Sequence, residues 1–300
     1  MEKVTELDES KFGTRYLEDK SEIYMHNAWD NVVWDDEYRC EVMEKIASNS
    51  ATKVDDDKAS ELETNADQYW NQFYDKHENK FFKDRHWLFR EFPELVPNKN
   101  GNEKKTILEL GCGAGNTIFP LLELDENETT MIYCCDFSIK AVELVRKNHL
   151  YNEKRCYAFQ FDLTSSDWAN TIPFEPNSLD YVTMIFVLSA IDPKYYQKII
   201  ENVRTYLKPT GCILFRDYGH SDLAQTRFKN GRCIKENFYV RGDGTRAYFF
   251  TESEIDKLFT DSGLTKLDIH SDRRLLINRA NRKKMYRIWI QAKFQNKLLI

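Results

Sequence analysis

The chain has 300 residues, of which 41% are hydrophobic and 31% charged, and its formal net charge at pH 7 is −6. No apolar stretch approaches the roughly 18 residues that a membrane helix needs, and the start, MEKVTELDES, is acidic and polar, unlike a signal or transit peptide. We therefore expect a soluble intracellular protein with one sizeable α/β domain and an appended segment, and not two full domains or a membrane protein.

The charge is unevenly distributed along the chain. Residues 201–300 hold 20 Lys and Arg against 11 Asp and Glu, an excess of nine positive charges that leaves residues 1–200 at −15. The run RRLLINRANRKKMYR, residues 273–287, has seven basic side chains and no acid, although such a run is often just a solvated face. The overall negative charge is therefore no argument against a polyanionic partner.

The cysteines give no sign of a metal site. None of the seven forms a CxxC pair or a Cys/His spacing typical of zinc ligands, and most fall in apolar runs. We expect reduced, small core residues.

In chain order, residues 1–100 are polar and rich in aromatic residues. They include SNSATKVDDDKASELETNAD, which has too few apolar residues for a core and predicts a linker or an exposed helix. VPNKNGNEKK then marks a boundary. Beyond it, strand-like runs alternate with helical patterns: TILELG, TMIYCCD, a helix from Ser138, CYAFQFDL, LDYVTMIFVLSAI, a helix from about Pro193, and GCILFRDYG. This alternation predicts a parallel sheet with helices on both faces.

The last part of the chain departs from that alternation. ENFYVRGDGTRAYFF consists of two extended runs around Gly242-Asp243-Gly244, which predicts a hairpin. Thr251 and Glu254 form a capping box that opens the helix ESEIDKLFTDSG, which Gly263 ends. KLDIH and MYRIWIQAKF are predicted to close the chain as two further strands.

The stretch ELGCGAGN, residues 109–116, follows the first predicted strand of the alternating region. Gly111, Gly113 and Gly115 come where a doubly wound sheet binds its ligand, and missing side chains allow close approach of the backbone. The dinucleotide fingerprint G-x-G-x-x-G does not fit, because the third glycine comes one residue early. The acid Glu109 beside the loop would repel a pyrophosphate but suits a ligand with positive charge.

Two more carboxylates narrow the choice of ligand. Asp136 ends the second strand, where an acid can accept from both ribose hydroxyls, and Asp162 ends the third, where it can accept from an adenine amine. S-adenosylmethionine has an adenosine, a sulfonium and an ammonium group but no phosphate, so it accounts for all three acids, whereas NAD leaves Glu109 and Asp162 unexplained. Alternatively, Asp136 and Asp162 each merely cap the following helix. The arrangement resembles class I S-adenosylmethionine-dependent methyltransferases, and the final pair of strands resembles that family's hallmark.

The methyl acceptor is constrained by what is missing. The chain lacks the Pro-Cys of cytosine carbon-5 methylation, and the position of the Asn/Asp-Pro-Pro-aromatic loop of amine methylation reads IFVLSAI. A ring nitrogen whose lone pair is free at neutral pH needs little base catalysis, so positioning and desolvation would carry most of the rate.

Strings along the whole chain resemble the tRNA N3-methylcytidine methyltransferases: NAWDNVVW, YWNQFYDKHENKFFKDRHWLFREFPEL, ELGCGAGNTIFPLL, YCCDFS, IFVLSAI, LFRDYG, NFYVRGDGTRAYFF, DRRLLINR and MYRIWIQAKF. The match runs from about Lys11 to the C-terminus. It implies methylation of N3 of the anticodon-loop cytidine at tRNA position 32. FGTRYL and HNAWDNVVW resemble the cytoplasmic subgroup that acts on threonine tRNA.

The resemblance also implies an architecture. We expect a Rossmann-like class I α/β fold with a seven-stranded, mostly parallel sheet whose last strand is antiparallel, plus an N-terminal helical extension. Residues 1–100 would form the extension, which supplies a cofactor lid and a tRNA-binding segment, and residues 101–300 the methyltransferase domain.

The family's cofactor residues carry over by position. Trp70 and Tyr74, four apart on one helix face, are expected to lie over the cofactor as a lid, unless they are merely core aromatics. The remaining family contacts match Gly111, Asp136, Asp162 and Ile185.

The sequence also suggests residues for RNA binding and for catalysis. FFKDRHWLFREF interleaves basic residues with aromatics, which suits phosphates and unstacked bases but also suits a helix that buries its aromatics. With the hairpin arginines and the basic run, the predicted RNA contacts are Lys83, Arg85, His86, Arg90, Arg241, Arg246, Arg273, Arg274, Arg279 and Lys283. In RDYG, Asp217 is expected to accept from cytosine N4 and to stabilise charge on the base, oriented by Arg216 and Tyr218, or else merely to cap the following turn.

Other acceptors and partners stay open at this point. Methylation of another RNA base or of a protein would use the same cofactor residues, and a non-catalytic tRNA-binding adaptor is a further alternative. We expect the anticodon stem-loop of tRNA as partner, an auxiliary protein such as a tRNA synthetase in some settings, no membrane partner and no metal. A cytoplasmic monomer is the default expectation.

Overall fold

The computed structural model describes residues 15–97 and 104–296. Its strands are β1 (Ala28–Asp30), β2 (Lys105–Leu110), β3 (Thr130–Asp136), β4 (Cys156–Gln160), β5 (Leu179–Ile185), β6 (Leu207–Tyr218), β7 (Cys233–Lys235), β8 (Phe238–Val240), β9 (Arg246–Tyr248), β10 (Leu264–Asn278) and β11 (Lys283–Asn296). Its α-helices are α1 (Asp36–Ser50), α2 (Asp56–Thr64), α3 (Ala66–His77), α4 (Leu88–Glu91), α5 (Ile118–Leu124), α6 (Ile139–Lys147), α7 (Trp168–Thr171), α8 (Tyr196–Tyr206), α9 (Leu223–Thr226) and α10 (Glu252–Asp261). Short 3-10 turns cover Lys20–Tyr24, Pro93–Leu95, Leu188–Ala190 and Pro193–Tyr195.

The main sheet has the strand order β1-β10-β11-β6-β5-β2-β3-β4. Strands β4, β3, β2, β5 and β6 run parallel, and β11 is inserted antiparallel between β6 and β10. The switch point lies between β2 and β5, so the ends of these strands and of β3 form one ligand-binding edge. The predicted class I α/β fold with its antiparallel last strand is confirmed.

The sheet has an eighth strand, β1, that the sequence did not predict. It comes from the N-terminal segment and pairs antiparallel with β10, with Trp29 opposite Leu275. Trp29 is buried, and its indole N–H donates to the carbonyl of Ile23 at 2.8 Å. The N-terminal segment therefore contributes a strand to the edge of the main sheet.

Two hydrophobic clusters cover the two faces of the sheet. Along β6, Ile213 and Phe215 belong to the cluster that packs with α8 and α10, whereas Leu214 belongs to the one that packs with α5 and α6. This alternation follows from the twofold period of a strand. It places Arg216 and Asp217 on opposite faces of the sheet.

Local signals in the sequence are realised as expected in several places. Ser138 caps α6, and Thr251 with Glu254 forms the capping box of α10, which ends before Gly263 at φ +84°. The predicted hairpin is β8 paired with β9, to which β7 adds a third strand. The polar stretch before α3 contains α2, whose Leu62 is buried.

All seven cysteines are free, and all but Cys40 are buried. Among the described residues, no helix is long and apolar enough to span a bilayer. Most of the predicted domain boundary near residue 100, and the first letters of FGTRYL and of the match from Lys11, lie outside the described residues.

Candidate functional site

A cleft of about 820 Å³, measured to its open mouth, lies at the carboxyl ends of the parallel strands. Its lining comes from α3 and from the ends of β2, β3, β4 and β5, and it includes Trp70, Tyr74, Gly111, Cys135, Asp136, Phe137, Phe161, Asp162, Leu163, Thr164, Phe186, Val187, Ala190 and Ile191, with Glu63, Ala66 and Arg246. The cleft thus lies where the sequence predicts the ligand site.

The glycine loop after β2 needs its missing side chains. Gly111 has φ +61°, and a Cβ there would lie 2.4 Å from Cγ2 of Val187. Gly113 has φ +55°, and its Cβ would lie 2.7 Å from the hydroxyl oxygen of Tyr74. Both the backbone conformation and the space therefore require glycine, and the loop lies directly beneath the aromatic residues of α3.

Asp136, at the end of β3, is fixed by backbone donors. Its Oδ2 accepts from the amide of Gly113 and its Oδ1 from the amide of Ser138, both at 2.9 Å. Burial nevertheless raises the pKa of Asp136 to about 6, with the two backbone donors acting in the opposite direction. The alternative role of Asp136, which was to hold the start of the following helix, is therefore also present. Its one carboxylate contacts the glycine loop and the start of α6, and it lines the cleft.

Glu109 is buried next to the glycine loop. Its Oε1 lies 3.4 Å from Nη1 of Arg85, which also donates to Oγ1 of Thr117 at 3.0 Å, while its Oε2 has no hydrogen-bond partner. Burial raises the pKa of Glu109 to about 7, and the Arg85 charge acts to lower it. A buried carboxylate oxygen without a donor is a place for a ligand cation.

Asp162, at the end of β4, differs from the other two acids because it is exposed. Its Oδ1 accepts from both the amide and the hydroxyl of Thr164 at 2.8 Å. Both residues line the cleft, so Asp162 holds the local turn and also presents a carboxylate to a ligand.

Trp70 and Tyr74 stack on α3 with ring centroids 6.0 Å apart and planes at 29°. Tyr74 is buried, which raises the pKa of its hydroxyl well above the usual value. Both rings line the cleft over the glycine loop. The two rings also pack with Phe73 in a small apolar cluster, and their role as a lid stays a prediction.

These groups fit S-adenosylmethionine. The tight loop at Gly111 and Gly113 leaves room for a ligand against the backbone, and Asp136 and Asp162 line the cleft as acceptors for hydroxyl and amine groups. The unpartnered Oε2 of Glu109 suits an ammonium group. Glu109, Gly113, Gly115 and Ile185 lie outside the cleft lining, and the side chain of Ile185 is buried in the core cluster beside α5 and α6.

The sequence suggests that Asp217 faces the substrate, but the side chain does not line the cleft. It is fully buried, its Oδ2 accepts from the amide of Ser189 and its Oδ1 from the amide of Tyr218, each at 2.9 Å. Burial raises its pKa to about 6. Asp217 thus fixes the turn at Leu188–Ala190, which continues into the cleft residues Ala190 and Ile191, and its contact with a base stays a prediction.

Arg216 does not orient Asp217, because it lies on the other face of the sheet. Its guanidinium bonds to Asp272 and Gln291 and lies 4.9 Å from the ring centroids of both Trp87 and Trp289. Tyr218 contacts Asp217 through its backbone amide, and its ring packs on Phe186 with centroids 5.1 Å apart. Asp217 and Tyr218 thus contact residues at the cleft, whereas Arg216 belongs to the opposite face of the sheet.

Four of the predicted RNA contacts have other partners. Arg85 is paired with Glu109, Arg246 with Glu63, and Arg274 with Asp272 and Glu91. These three side chains are nearly buried, and each is held in an ion pair within the protein, so their binding to phosphates stays a prediction. Arg241 is half-buried, and its Nη1 donates to the carbonyl of Arg246 at 2.8 Å.

The remaining predicted contacts are exposed, and two of them, Arg273 and Lys283, line two clefts beside α1. Lys83, His86, Arg90, Arg273, Arg279 and Lys283 lie on the surface. One cleft contains Arg39, His220 and Arg273, and the other contains Lys45, Arg227, Lys229 and Lys283. We call these seven residues the basic surface.

Sequence reasoning missed part of the cleft wall. Phe137 and Thr164 each lie one or two residues beyond a predicted acid, and Phe186 and Val187 belong to the quoted string IFVLSAI, so a nearby signal existed. Glu63 had none, because it stands in an acidic stretch that looked like a linker.

The comparisons with known proteins agree with this geometry. Residues 81–269 match the family model described as a methyltransferase domain. A tRNA N3-methylcytidine methyltransferase of Drosophila melanogaster is 48% identical over 95% of this chain and 88% of its own length, and a tRNA N3-cytidine methyltransferase of Xenopus tropicalis is 46% identical over 95% and 94%. The chain belongs to the tRNA N3-methylcytidine methyltransferase family.

A solved structure supports the fold independently. A SAM-dependent methyltransferase from Anabaena variabilis is 13% identical, covers 78% of this chain and 96% of its own, and superposes with a TM-score of 0.53. At that identity the likeness concerns the fold alone. The family match and the fold together show that the cofactor of this chain is S-adenosylmethionine.

Proposed function

We propose that this protein transfers a methyl group from S-adenosylmethionine to N3 of a cytidine in tRNA. The observation that carries the proposal is the single cleft in which a glycine loop without room for side chains, two strand-end carboxylates and an aromatic lid meet, in a chain of this family. Two acids are explained by this cofactor and not by a dinucleotide: Glu109, buried beside the glycine loop, and Asp162 on the cleft wall.

Each cofactor-binding residue has a separate task. When bound, S-adenosylmethionine supplies a methyl group on a sulfonium centre. Asp136 would accept from the ribose hydroxyls, Asp162 from the adenine amine, and Glu109 from the ammonium group. Trp70 and Tyr74 would cover the site and exclude water, which strengthens the interactions with the carboxylates.

The reaction at cytidine N3 asks little proton chemistry of the protein. The lone pair of N3 forms the new bond to carbon, the bond to sulfur breaks with its electrons staying on sulfur, and no proton leaves, so the base becomes a cation. The chain's task is therefore to position the base and to stabilise positive charge. The apolar residues Phe186, Val187, Ala190 and Ile191 supply a wall against which a base can lie.

The finer substrate assignment rests on the resemblance and on charge. We infer that the acceptor is the cytidine at position 32 of the anticodon loop, most often in threonine tRNA, in the cytoplasm. The basic surface supports binding of the stem-loop backbone, and it begins at His220, two residues beyond Tyr218, whose ring packs against the cleft residue Phe186. An auxiliary protein such as a tRNA synthetase would add affinity, and the protein itself would act as a monomer.

The test is nucleoside mass spectrometry of purified threonine tRNA from cells that lack the protein, after incubation with the protein and S-adenosylmethionine. We expect 3-methylcytidine with the wild-type protein and none with Asp136→Ala. Cofactor binding without methylation would point to a missing partner or a missing prior modification of the tRNA, and no cofactor binding would favour the adaptor alternative. Methylation of another base would contradict the cytidine assignment.

A further inference from the structure

The cleft has one pair of charged side chains that the cofactor does not explain. Glu63, on α2, and Arg246, on β9, both line it, and Nη1 of Arg246 bonds to Oε2 of Glu63. Neither residue belongs to the strand ends that carry the cofactor acids. This wall of the cleft is therefore available to the second substrate.

The two side chains are held in place by different neighbours. Arg246 is 7% exposed, and its guanidinium lies 5.3 Å from the ring centroid of Phe238. The other oxygen of Glu63, Oε1, faces the half-exposed Lys194 at 3.8 Å, too far for a hydrogen bond. A half-buried carboxylate thus keeps one oxygen open to hydrogen bonding, next to a fixed guanidinium.

A buried ion pair is a weak stabilising device, because the loss of hydration offsets most of the attraction. Its position on a substrate cleft indicates another use. Cytosine presents an amine donor at N4 and a carbonyl acceptor at O2 on either side of N3. A carboxylate and a guanidinium supply the acceptor and the donor that complement N4 and O2. When the base binds, the two side chains would exchange their mutual bond for these contacts, so that the methyl carbon can reach the N3 lone pair between them.

We propose that Glu63 and Arg246 read the Watson–Crick edge of the acceptor cytosine, with Glu63 accepting from the N4 amine and Arg246 donating to O2. This inference rests on the proposed function. It moves to Glu63 the part that the sequence had suggested for Asp217. When N3 forms its bond to the methyl carbon and the bond to sulfur breaks, the positive charge spreads onto N4, and the Glu63 carboxylate stabilises it. Uracil has a carbonyl acceptor at position 4, which would face the Glu63 carboxylate, another acceptor, without a hydrogen between them.

The test uses anticodon stem-loops that carry either cytidine or the pyrimidin-2-one ribonucleoside, which lacks the N4 amine, at the target position. Single-turnover methylation is measured with the wild-type protein, with Glu63→Gln and with the control Glu61→Gln. Glu61 lies on the same helix but pairs with Lys58 and Tyr69 on the exposed side. Affinity for S-adenosylmethionine and thermal unfolding are measured for every variant.

We expect Glu63→Gln to slow methylation of cytidine by roughly 10- to 100-fold at unchanged cofactor affinity, and Glu61→Gln to have no effect. Glu63→Gln should also favour cytidine over the analogue by a smaller factor than the wild-type protein does, because the contact to N4 is weakened in the variant. Wild-type rates in Glu63→Gln, or equal losses on both RNAs, would overturn the base assignment alone. No methylation of any cytidine by the wild-type protein would overturn the proposed function and the base assignment together.

Discussion

Replacing Gly113 by alanine tests how closely the lid packs on the glycine loop. The backbone at Gly113 has φ +55°, which costs an L-residue about 1–2 kcal/mol. The new methyl group would also lie 2.7 Å from the Tyr74 hydroxyl oxygen, and such overpacking typically costs about 1–3 kcal/mol. The free energy of unfolding should therefore fall by about 2–5 kcal/mol, the sum of the two ranges.

The second variant, Tyr74→Phe, separates the two contributions. It removes the hydroxyl and leaves Cζ as the nearest ring atom at 3.6 Å, an ordinary contact distance. In that background Gly113→Ala should cost about 1–2 kcal/mol, from the backbone alone. Gly231→Ala is the control, because Gly231 has φ +79° with nothing within 4 Å of its would-be Cβ.

The assay is urea unfolding of the four proteins of the cycle and of Gly231→Ala in both backgrounds, with cofactor affinity by calorimetry. Gly113→Ala should also weaken cofactor binding in the wild-type background, because Tyr74 is displaced from the cleft. Equal costs of Gly113→Ala with and without the Tyr74 hydroxyl would refute the reasoning that the lid rests on this glycine.

Three further predictions concern the ligands. Burial raises the pKa of Glu109 to about 7, and binding of the ammonium group requires the ionised carboxylate, so cofactor affinity should fall as the pH drops below about 7. Calorimetry in several buffers should then show proton release on binding, and Glu109→Gln should lose the pH dependence. A flat pH profile in the wild-type protein would contradict the role of Glu109. Asp136→Asn should weaken cofactor binding by roughly 10- to 100-fold in the same assay, since a charged acceptor is lost; unchanged affinity would exclude the ribose contact. Arg279→Ala and Lys283→Ala should each weaken RNA binding and lower the slope of its salt dependence by about 1; an unchanged slope would remove that residue from the predicted RNA contacts.

Much of the cofactor site was predictable because its residues follow strands directly in sequence. Gly111, Asp136 and Asp162 each stand at the end of an apolar run, and parallel strands bring such ends to one edge whatever connects them. The expected orientation of Asp217 by Arg216 was wrong for a related reason. Asp217 and Arg216 are neighbours in sequence, but adjacent residues of a strand point to opposite faces, so they cannot act on one another.

The pairing of charges was not readable from sequence. Arg85, Arg246 and Arg274 stand in basic or aromatic stretches typical of RNA contacts, yet each is paired with a carboxylate from a distant segment. The three-residue strand β1 was missed because its partner is far along the chain and its own pattern is too short.

By itself, the sequence determined the α/β class, the glycine loop, the strand-end acids and the family, since these depend on local patterns and on strings of residues. The tertiary structure alone decided which charges are paired, which acids reach the cleft, and that Glu63 and Arg246 meet on its wall. The reason is physical: hydrophobic periodicity is encoded within a few residues, whereas burial and ion pairing depend on which segments the fold brings together.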